Sequence, residues 1–452
     1  MVLPISLGYI IHNNVNTIST RLTIRGRQMI SLAKRLVPSL LVALNSQVLI
    51  AQPLKAHEGD NVLWTKHQVI VSNPLNVKRD DLTCISQSDI GFNFSKDSAY
   101  VVKVANAVIQ SQLSACFTDN DSLGLALALP LAANENQTVD IYVKEHVNFA
   151  DTNTQARTQA ELQVRVGGTF NADKLEKGDY ASVKHYVLPK GHTVGNKLFK
   201  YEGFGWESES VAYRYYFDHR GSIDIFGKQK QGLFLNEIGT DDDDYHVLDH
   251  WGMDILKVGP SLGLGGIGAW QNGRLFGANN FSEFSVDVHS KPLISSIDLH
   301  YKDWLVADQK GDLALSLSIA ANSLLTRVKA STTANIEHFA TGIVKHDVEV
   351  ISQINKAGKW SYVATWGEQS LAKDNLGMAI FVETKNLQTF VDDEHNELVI
   401  FNASTQPVYY YFSANWSASN EGAKTKAMFV DYLNNTVATL NQPIKVISKA
   451  NK

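Results

Sequence analysis

The stretch SVAYRYYF, residues 210–217, decides the fold class of this chain. It is a short run of aromatic and β-branched residues, the types that favour a pleated, half-buried strand. Arg214 stands in it between Tyr213 and Tyr215. Because successive side chains of a strand point to opposite faces, we expect Arg214 to point away from the face that its neighbours share.

Similar short runs separated by turn residues follow along the chain, which predicts many antiparallel strands. They are SSIDLHY (295–301), DLALSLSIA (312–320), KWSYVATW (359–366), MAIFVET (378–384), ELVIFNA (397–403) and PVYYYFSANW (407–416). This spacing predicts an all-β protein with a large antiparallel β-sandwich over residues 165–449. One helix is expected over 422–440, with apolar Met428, Phe429, Tyr432 and Leu433.

Strand-like runs also precede this region, in VLWTKHQVIVSNP (62–74), AYVVKVANAVIQSQ (99–112) and QTVDIYVKEHV (137–147). They predict a small N-terminal β-sandwich over residues 57–148. The polar segment 150–166 between the two regions fits either a helix or a domain connection. The predicted organisation is therefore a small sandwich followed by a larger one.

The N-terminal residues read as a signal for export. From Met29 the chain has Lys34 and Arg35, an apolar run over 36–44, and the small residue Ala51. This order is typical of a secretory signal peptide, and the apolar run is too short to span a bilayer. Residues 1–51 are therefore predicted to be an upstream extension and signal peptide, and the protein to be periplasmic or secreted.

Charge and cysteine content exclude some classes of partner. The net charge is −5, so no overall basic field recruits nucleic acid. Only two cysteines occur, Cys84 and Cys116; they could pair in an oxidising compartment or stay as two buried thiols. The 8 Trp and 16 Tyr suit β-sheets and sugar-stacking surfaces alike.

The glycine-rich segment GLGGIG, residues 263–268, matches the spacing of a dinucleotide-binding loop. That loop must open a helix, whereas AWQNGRLFG follows here, with an Asn-Gly pair between apolar residues. The sequence therefore predicts a β-hairpin at this place. The glycines are expected to allow the backbone to approach another chain segment closely.

His246, His250 and Asp254 follow one another at intervals of four residues. On a helix they would offer a metal three ligands on one face, but Val247 stands where zinc proteases carry Glu, and Gly252 disfavours a helix. On a loop, the same residues with Lys257 suit proton transfer, because imidazole titrates near neutral pH. Ordinary surface histidines remain an alternative, and no metal or other cofactor is predicted.

Other polar and aromatic positions have a functional and a structural interpretation. Asp119 and Asp121 resemble the start of a calcium loop, but Pro130 occupies its last ligand position, which favours a plain turn. Arg214 could bind a carboxylate with two parallel hydrogen bonds or form a structural ion pair. Five residues could hold a sugar or could equally be packing; they are Trp206, Glu207, Trp366, Gln369 and Trp416.

Three long stretches resemble a bacterial family of formerly unknown function. They are residues 201–228, 244–266 and 365–381, and the resemblance runs from about Val69 to Lys449. Members of this family are encoded beside unsaturated glucuronyl hydrolases in loci that degrade ulvan, pectin and related acidic polysaccharides, and a similar protein is an ulvan oligosaccharide dehydratase. The resemblance implies a sandwich of the supersandwich type seen in sugar mutarotases, and elimination of water from a terminal uronic acid.

That reaction assigns roles to residues within the matching stretches. The substrate carboxylate must be neutralised, which suits Arg214 or Lys257. His246 and His250 are the expected base and acid, with Tyr245 as a substitute for either, and Asp254 could orient a histidine. The expected partner is an acidic oligosaccharide.

Three other functions remain open for the same residues. A polysaccharide lyase would abstract the same proton but expel a sugar. A glycosidase needs two carboxylates across a cleft, a spacing that a sequence does not reveal. A non-catalytic carbohydrate-binding protein would need only the tryptophans.

Overall fold

The computed structural model describes residues 64–115, 117, 123–145, 155–241 and 243–448. The predicted signal peptide, the residues of the candidate calcium loop up to 122, and Cys116 lie outside these described residues.

The described part of the chain is built almost entirely of strands. In its first part these are β1 (Thr65–Ser72), β2 (Thr83–Ser86), β3 (Ala99–Val104), β4 (Ala107–Ile109), β5 (Ser111–Ala115), β6 (Leu123–Leu127), β7 (Asn136–Lys144), β8 (Thr158–Val166), β9 (Thr169–Asn171), β10 (Lys174–Glu176), β11 (Asp179–Ser182), β12 (His185–Val187), β13 (Phe199–Ser208), β14 (Val211–Tyr216), β15 (Ile223–Lys228) and β16 (Gly252–Asp254). A four-residue helix, α1 (Gln87–Ile90), lies among them.

The second part continues the same pattern. Its strands are β17 (Leu264–Gln271), β18 (Arg274–Gly277), β19 (Glu283–His289), β20 (Ile294–Val306), β21 (Gln309–Ala320), β22 (Leu325–Thr332), β23 (His338–Val344), β24 (Glu349–Gln353), β25 (Trp360–Glu368), β26 (Asn375–Glu383), β27 (Leu387–Asp392), β28 (Asn396–Asn402), β29 (Val408–Trp416) and β30 (Lys445–Ser448). Helix α2 spans Lys426–Asn441. The all-β prediction is confirmed.

The strands of residues 155–416 form three main antiparallel sheets. The six-stranded sheet has the order β11-β8-β13-β14-β15-β16, the nine-stranded sheet β12-β19-β20-β21-β22-β29-β26-β25-β24, and the five-stranded sheet β18-β17-β23-β28-β27. One large apolar cluster joins them, to which β21 contributes Leu313, Leu315, Leu317 and Ile319 at every second position. Period-two alternation therefore directs one face of each strand into a shared core.

Strands β1 to β7 build two smaller sheets around their own core. Their orders are β30-β1-β7-β3-β4 and β2-β6-β5, and the apolar cluster between them contains Val69, Val102, Leu125 and Ile141. Strand β30, from the end of the chain, pairs with β1. Cys84 on β2 is disulfide-bonded. The division into domains at 57–148 and 165–449 stays a prediction.

The glycine-rich segment lies in a hairpin, as its sequence predicted. Strands β17 and β18 pair antiparallel, and Asn272 and Gly273 between them have φ values of 54° and 71°. Gly263 and Gly265 allow close approach, since a Cβ there would lie 1.9 Å from the Ile223 carbonyl oxygen and 2.2 Å from the Phe412 ring. A strand stands where a nucleotide-binding loop would need a helix.

Helix α2 packs on the outside of the nine-stranded sheet. Its hydroxyl cap is Thr425, which accepts a hydrogen bond from the backbone N–H of Met428. Phe429 and Leu433 are buried in one apolar cluster with Trp360 and Trp366 of β25. The predicted helix is thus present, beginning four residues later than expected. No helix in the described ranges has the length and apolarity that a bilayer crossing requires.

Candidate active site

The two faces of the six-stranded sheet differ in chemistry. One face carries Phe204, Trp206 and Tyr213 into the core shared with the other sheets. The opposite face carries Arg214 on β14 and Asp224 on β15, which lie directly opposite each other in the ladder. The described residues 229–241 and 243–251 run over this polar face, where Tyr245 contacts Arg214 and Trp251 contacts Phe226, and they are called the covering loop below.

Arg214 is the centre of this polar face. Its Nη2 donates to a carboxylate oxygen of Asp224 and, at 2.8 Å, to Oδ2 of Asp254. Its Nη1 donates to the Tyr245 hydroxyl at 3.2 Å and to the Tyr201 carbonyl oxygen at 3.3 Å. A guanidinium with only 2% of its side chain exposed therefore connects β14 with strands β13, β15 and β16 and with the covering loop.

The two buried carboxyl groups share one cation. Asp224 also accepts a hydrogen bond of 2.7 Å from the Tyr216 hydroxyl and one of 2.8 Å from its neighbour, the Ile225 N–H. Burial, with the charge of Asp224, raises the pKa of Asp254 to about 8, although Arg214 opposes that rise. Two carboxyl groups this close to a single cation therefore favour a state in which one of them holds a proton.

Aromatic rings enclose the guanidinium and exclude water from it. The rings of Tyr216, Phe226 and Tyr245 lie 4.4, 5.1 and 5.3 Å from the Arg214 guanidinium carbon. Such contacts stabilise a desolvated cation. Burial raises the pKa of the Tyr245 phenol, since it disfavours the phenolate more than the nearby Arg214 favours it.

His246 connects this buried group with solvent. Its imidazole is 58% exposed, and its Nε2 lies 3.7 Å from Oδ2 of Asp254. Its ring centroid lies 4.4 Å from that of Tyr245. The structure therefore brings together four of the predicted catalytic residues: Arg214, Tyr245, His246 and Asp254. An imidazole, a phenol and a protonated carboxyl group in contact can exchange protons with a substrate at the rim.

A comparison with known protein families matches residues 71–446 to the family described as "Domain of unknown function (DUF4861)". The match covers most of the chain. The chain belongs to the DUF4861 family. No curated protein matches it significantly.

Two solved structures resemble this DUF4861 member weakly. A glycosyl hydrolase family 38 protein from Enterococcus faecalis is 10% identical with a TM-score of 0.39, over 86% of this chain and 48% of that one. An alpha-mannosidase from Enterococcus faecalis V583 is 9% identical with a TM-score of 0.41, over 86% of this chain and 46% of that one. The chain spans less than half the length of these two proteins, and likenesses this weak carry no argument about activity.

Two predicted catalytic residues of this DUF4861 protein lie apart from the other four. The Nε2 atom of His250 lies 2.9 Å from Oε2 of Glu237, and the imidazole meets the edge of Phe234. Lys257 is exposed, and within the described ranges no hydrogen bond or ion pair joins it to the four clustered residues.

The helix that would place His246 and His250 on one metal-binding face is absent, because residues 244–251 form turns. The described residues contain no group of three or more side chains that could hold a metal ion.

The predicted sugar-holding residues are corrected, because all are buried. Trp206 has 0% exposure and donates its indole N–H to Thr326 at 2.8 Å, so it has no free face for a sugar. Trp366 stacks on Phe429 of α2, and the Trp416 indole N–H donates to Asp374. The amide of Gln369 donates to the Leu376 carbonyl oxygen at 2.6 Å. These side chains stabilise the packing of sheet and helix.

Glu207 also has a structural role, as an anchor of the covering loop. It pairs with Lys228, and both side chains are fully buried. Its carboxylate accepts the backbone N–H groups of Phe234 at 3.0 Å and Leu235 at 2.9 Å. A buried charge satisfied in this way fixes the position of the loop that carries Tyr245 and His246.

Sequence reasoning missed several residues of the site. Asp224, Tyr216, Glu202 and Arg220 all lie within one of the three family-like stretches. A signal for Asp224 existed, since aspartate is depleted in strand interiors and this one stands between two isoleucines. Tyr216 stands two residues after Arg214 on the same strand, so its side chain points to the same face of the sheet.

The backbone of β13 is strained beside these residues. Tyr201 and Glu202 have φ values of 40° and 61°, and the pairing of β13 with β8 shifts register between Phe199 and Phe204. Residues other than glycine rarely adopt such angles, and bulges of this kind redirect side chains. The bulge turns the Tyr201 carbonyl oxygen towards Arg214 and lets Glu202 meet Arg220.

Proposed function

We propose that this protein is a carbon–oxygen lyase that eliminates water from the non-reducing-end uronic acid of acidic, ulvan-type oligosaccharides. The product would carry a 4,5-unsaturated uronyl end. The observation that supports this function best is the contact of His246, Tyr245 and Asp254 around the buried Arg214. The family-like stretches contain all four residues.

The reaction needs one base and one acid on the same sugar. The C5–H bond breaks as a base takes the proton, its electron pair forms the C4=C5 double bond, and the C4–O bond breaks. The departing hydroxyl takes a proton from the acid and leaves as water. The C5 proton is only weakly acidic, so the neighbouring carboxylate must be stabilised while charge builds on it.

The residues of the site suit these two proton transfers. His246 is exposed at the rim, and imidazole is the side chain that most often serves as a general base, so we assign it as the base. Tyr245 keeps its proton because burial raises its pKa, so we assign it as the acid. Asp254 and Arg214 act as positioning residues, since Asp254 faces the imidazole and Arg214 holds the phenol oxygen.

The experiment incubates the protein with oligosaccharides that have saturated glucuronate, iduronate or galacturonate ends. Dehydration should give absorbance of a conjugated enol ether and a product one water lighter than the substrate. Two shorter fragments would instead indicate a chain-cleaving polysaccharide lyase. Unchanged substrate at all three ends, despite binding, would indicate a carbohydrate-binding protein and contradict the proposal.

We further propose that the protein is exported and that it acts before an unsaturated glucuronyl hydrolase. Unsaturated uronyl ends are what a neighbouring unsaturated glucuronyl hydrolase would remove. Export by a signal peptide that starts near Met29 would bring the enzyme to periplasmic or external polysaccharide fragments. N-terminal sequencing of the mature protein tests the export, because cleavage near Ala51 is expected.

A further inference from the structure

The cation that the elimination needs beside the substrate carboxylate is not Arg214. That guanidinium already binds Asp224 and Asp254 and is closed in by three aromatic rings. A third carboxylate could reach it only by displacing buried partners. Lys257 is exposed, and within the described residues no hydrogen bond or ion pair joins it to the four clustered residues. The substrate-binding cation must therefore be sought at the rim of the site.

Arg220 lies at this rim, and its guanidinium contacts the same aromatic ring as that of Arg214, the ring of Tyr216. The guanidinium carbon of Arg220 lies 3.5 Å from the centroid of the Tyr216 ring, and that of Arg214 lies 4.4 Å from the same centroid. The side chain of Arg220 is 30% exposed. Unlike Arg214, it can therefore meet a ligand without leaving its place.

Asp218 holds Arg220 in this orientation. The Asp218 side chain is 2% exposed and accepts from Arg220 Nε at 2.9 Å, from Nη2 at 2.6 Å and from the Arg220 backbone N–H at 2.7 Å. Within the described ranges, none of the Arg220 hydrogen bonds uses Nη1. A planar guanidinium fixed along one edge in this way leaves donors on another edge for a carboxylate.

Glu202 already presents a carboxylate to Arg220 in the free protein. Its Oε2 lies 2.8 Å from Arg220 Nη2, and its side chain is 32% exposed. The residue is adjacent to Tyr201, whose carbonyl oxygen binds Arg214, and it has the strained φ of 61° noted above. The Arg220–Glu202 contact is thus the exposed and more easily broken of the two ion pairs that Arg220 makes.

We infer that Arg220 binds the carboxylate of the terminal uronic acid, and that this carboxylate displaces Glu202 from the guanidinium. The inference rests on the proposed function for the identity of the sugar. Arg220 would then be the residue that selects acidic over neutral sugar ends and stabilises the charge that builds during proton abstraction. Glu202 would keep the cation paired until substrate arrives.

Binding measurements test this without requiring turnover. The parent is the His246→Ala variant, and the probes are a disaccharide with a saturated glucuronate end and the same disaccharide with that carboxylate reduced to an alcohol. Calorimetric titration of both probes gives the preference for acid over alcohol. Adding Arg220→Gln should lower affinity for the acid about tenfold or more and leave the alcohol nearly unchanged. The affinity of Arg220→Lys for the acid should lie between these two values, because lysine keeps the positive charge but cannot donate two parallel hydrogen bonds from a planar guanidinium.

Glu202→Gln should act in the opposite direction. It removes the competing carboxylate, so affinity for the acidic probe should rise a few-fold. Arg274→Gln is the matched control, since Arg274 also stacks on a ring, that of Phe276 at 4.5 Å, but on β18. It should change neither affinity.

The outcomes separate this inference from the proposed function. An unchanged acid preference in Arg220→Gln, or weaker acid binding in Glu202→Gln, overturns the inference even if the wild-type protein dehydrates its substrate. Loss of preference in Arg220→Gln with a gain in Glu202→Gln supports it, even if wild-type protein forms no product and the dehydratase proposal fails.

Discussion

The Nε2 atom of His246 lies 3.7 Å from Oδ2 of Asp254, so a mostly exposed imidazole meets a carboxyl group that is 2% exposed. Behind Asp254, Arg214 and Asp224 continue the contact into the six-stranded sheet. Protons from solvent therefore have a short route to a group that is otherwise sealed from water.

Asp254 should make stability depend on pH in an unusual direction. Its pKa rises from 3.8 to about 8 on folding, so between these values the folded protein keeps a proton that the unfolded chain has lost. This contribution is fully present below pH 4 and is lost as pH approaches 8, with a slope of up to about 1.4 kcal/mol per pH unit. Asp254→Asn should flatten that slope in denaturant titrations from pH 5 to 8. Asp244→Asn, whose side chain is 72% exposed, is the control, and an equal slope in both variants would contradict the assignment.

Replacement of Arg214 should destabilise the fold strongly. Arg214→Gln leaves Asp224 and Asp254 buried without their cation, which costs about 3–5 kcal/mol for a buried pair. Arg214→Lys should recover part of this loss, because lysine restores the positive charge but not the planar set of guanidinium donors. Urea unfolding measures both, with the exposed Arg274→Gln as reference. A loss below about 1 kcal/mol for Arg214→Gln would mean that the cluster contributes no more than a surface pair.

Glu207 should control the order of the covering loop. Its carboxylate accepts the Phe234 and Leu235 N–H groups, so Glu207→Gln should leave Lys228 buried without a counter-charge and loosen residues 229–251. Hydrogen exchange at those two amides should accelerate by at least about tenfold. Glu421→Gln is the control, because Glu421 accepts hydrogen bonds from the side chains of Gln231 and Ser210 and, within the described residues, from no backbone N–H of the loop. Equal exchange rates at the two amides in both variants would contradict the anchoring role of Glu207.

Much of the fold followed from alternation and turn chemistry. The runs at 210–217 and 312–320 became β14 and β21, and Asn272-Gly273 became a hairpin turn. The segment 150–166 was not predicted as a strand. Its polar residues conceal the hydrophobic alternation of β8, because several of them are buried by partners on neighbouring strands. Its Glu161 binds the Tyr201 hydroxyl at 2.7 Å, a satisfied buried contact that no single sequence displays.

The site was harder to predict than the fold. Arg214, Tyr245, His246 and Asp254 could be selected as chemically capable residues in one family-like stretch or another. The separation of His250 depends on turns within the covering loop, which place its imidazole on Glu237. The tryptophans misled because a large ring suits a core and a sugar surface equally. Alternation would have placed Trp206 on the face of Phe204 and thus inside.

The most direct test of the account compares His246→Ala with His250→Ala in one assay. Both variants remove an imidazole from the covering loop, with side chains 58% and 51% exposed, so their effects on stability should be similar. Proton NMR of a saturated uronate-ended oligosaccharide reports loss of the C5 proton and appearance of a vinylic C4 proton. The account predicts that His246→Ala slows this conversion by about 10²–10⁴-fold while His250→Ala keeps near wild-type rate. Equal rates for the two variants, or a greater loss in His250→Ala, would contradict it.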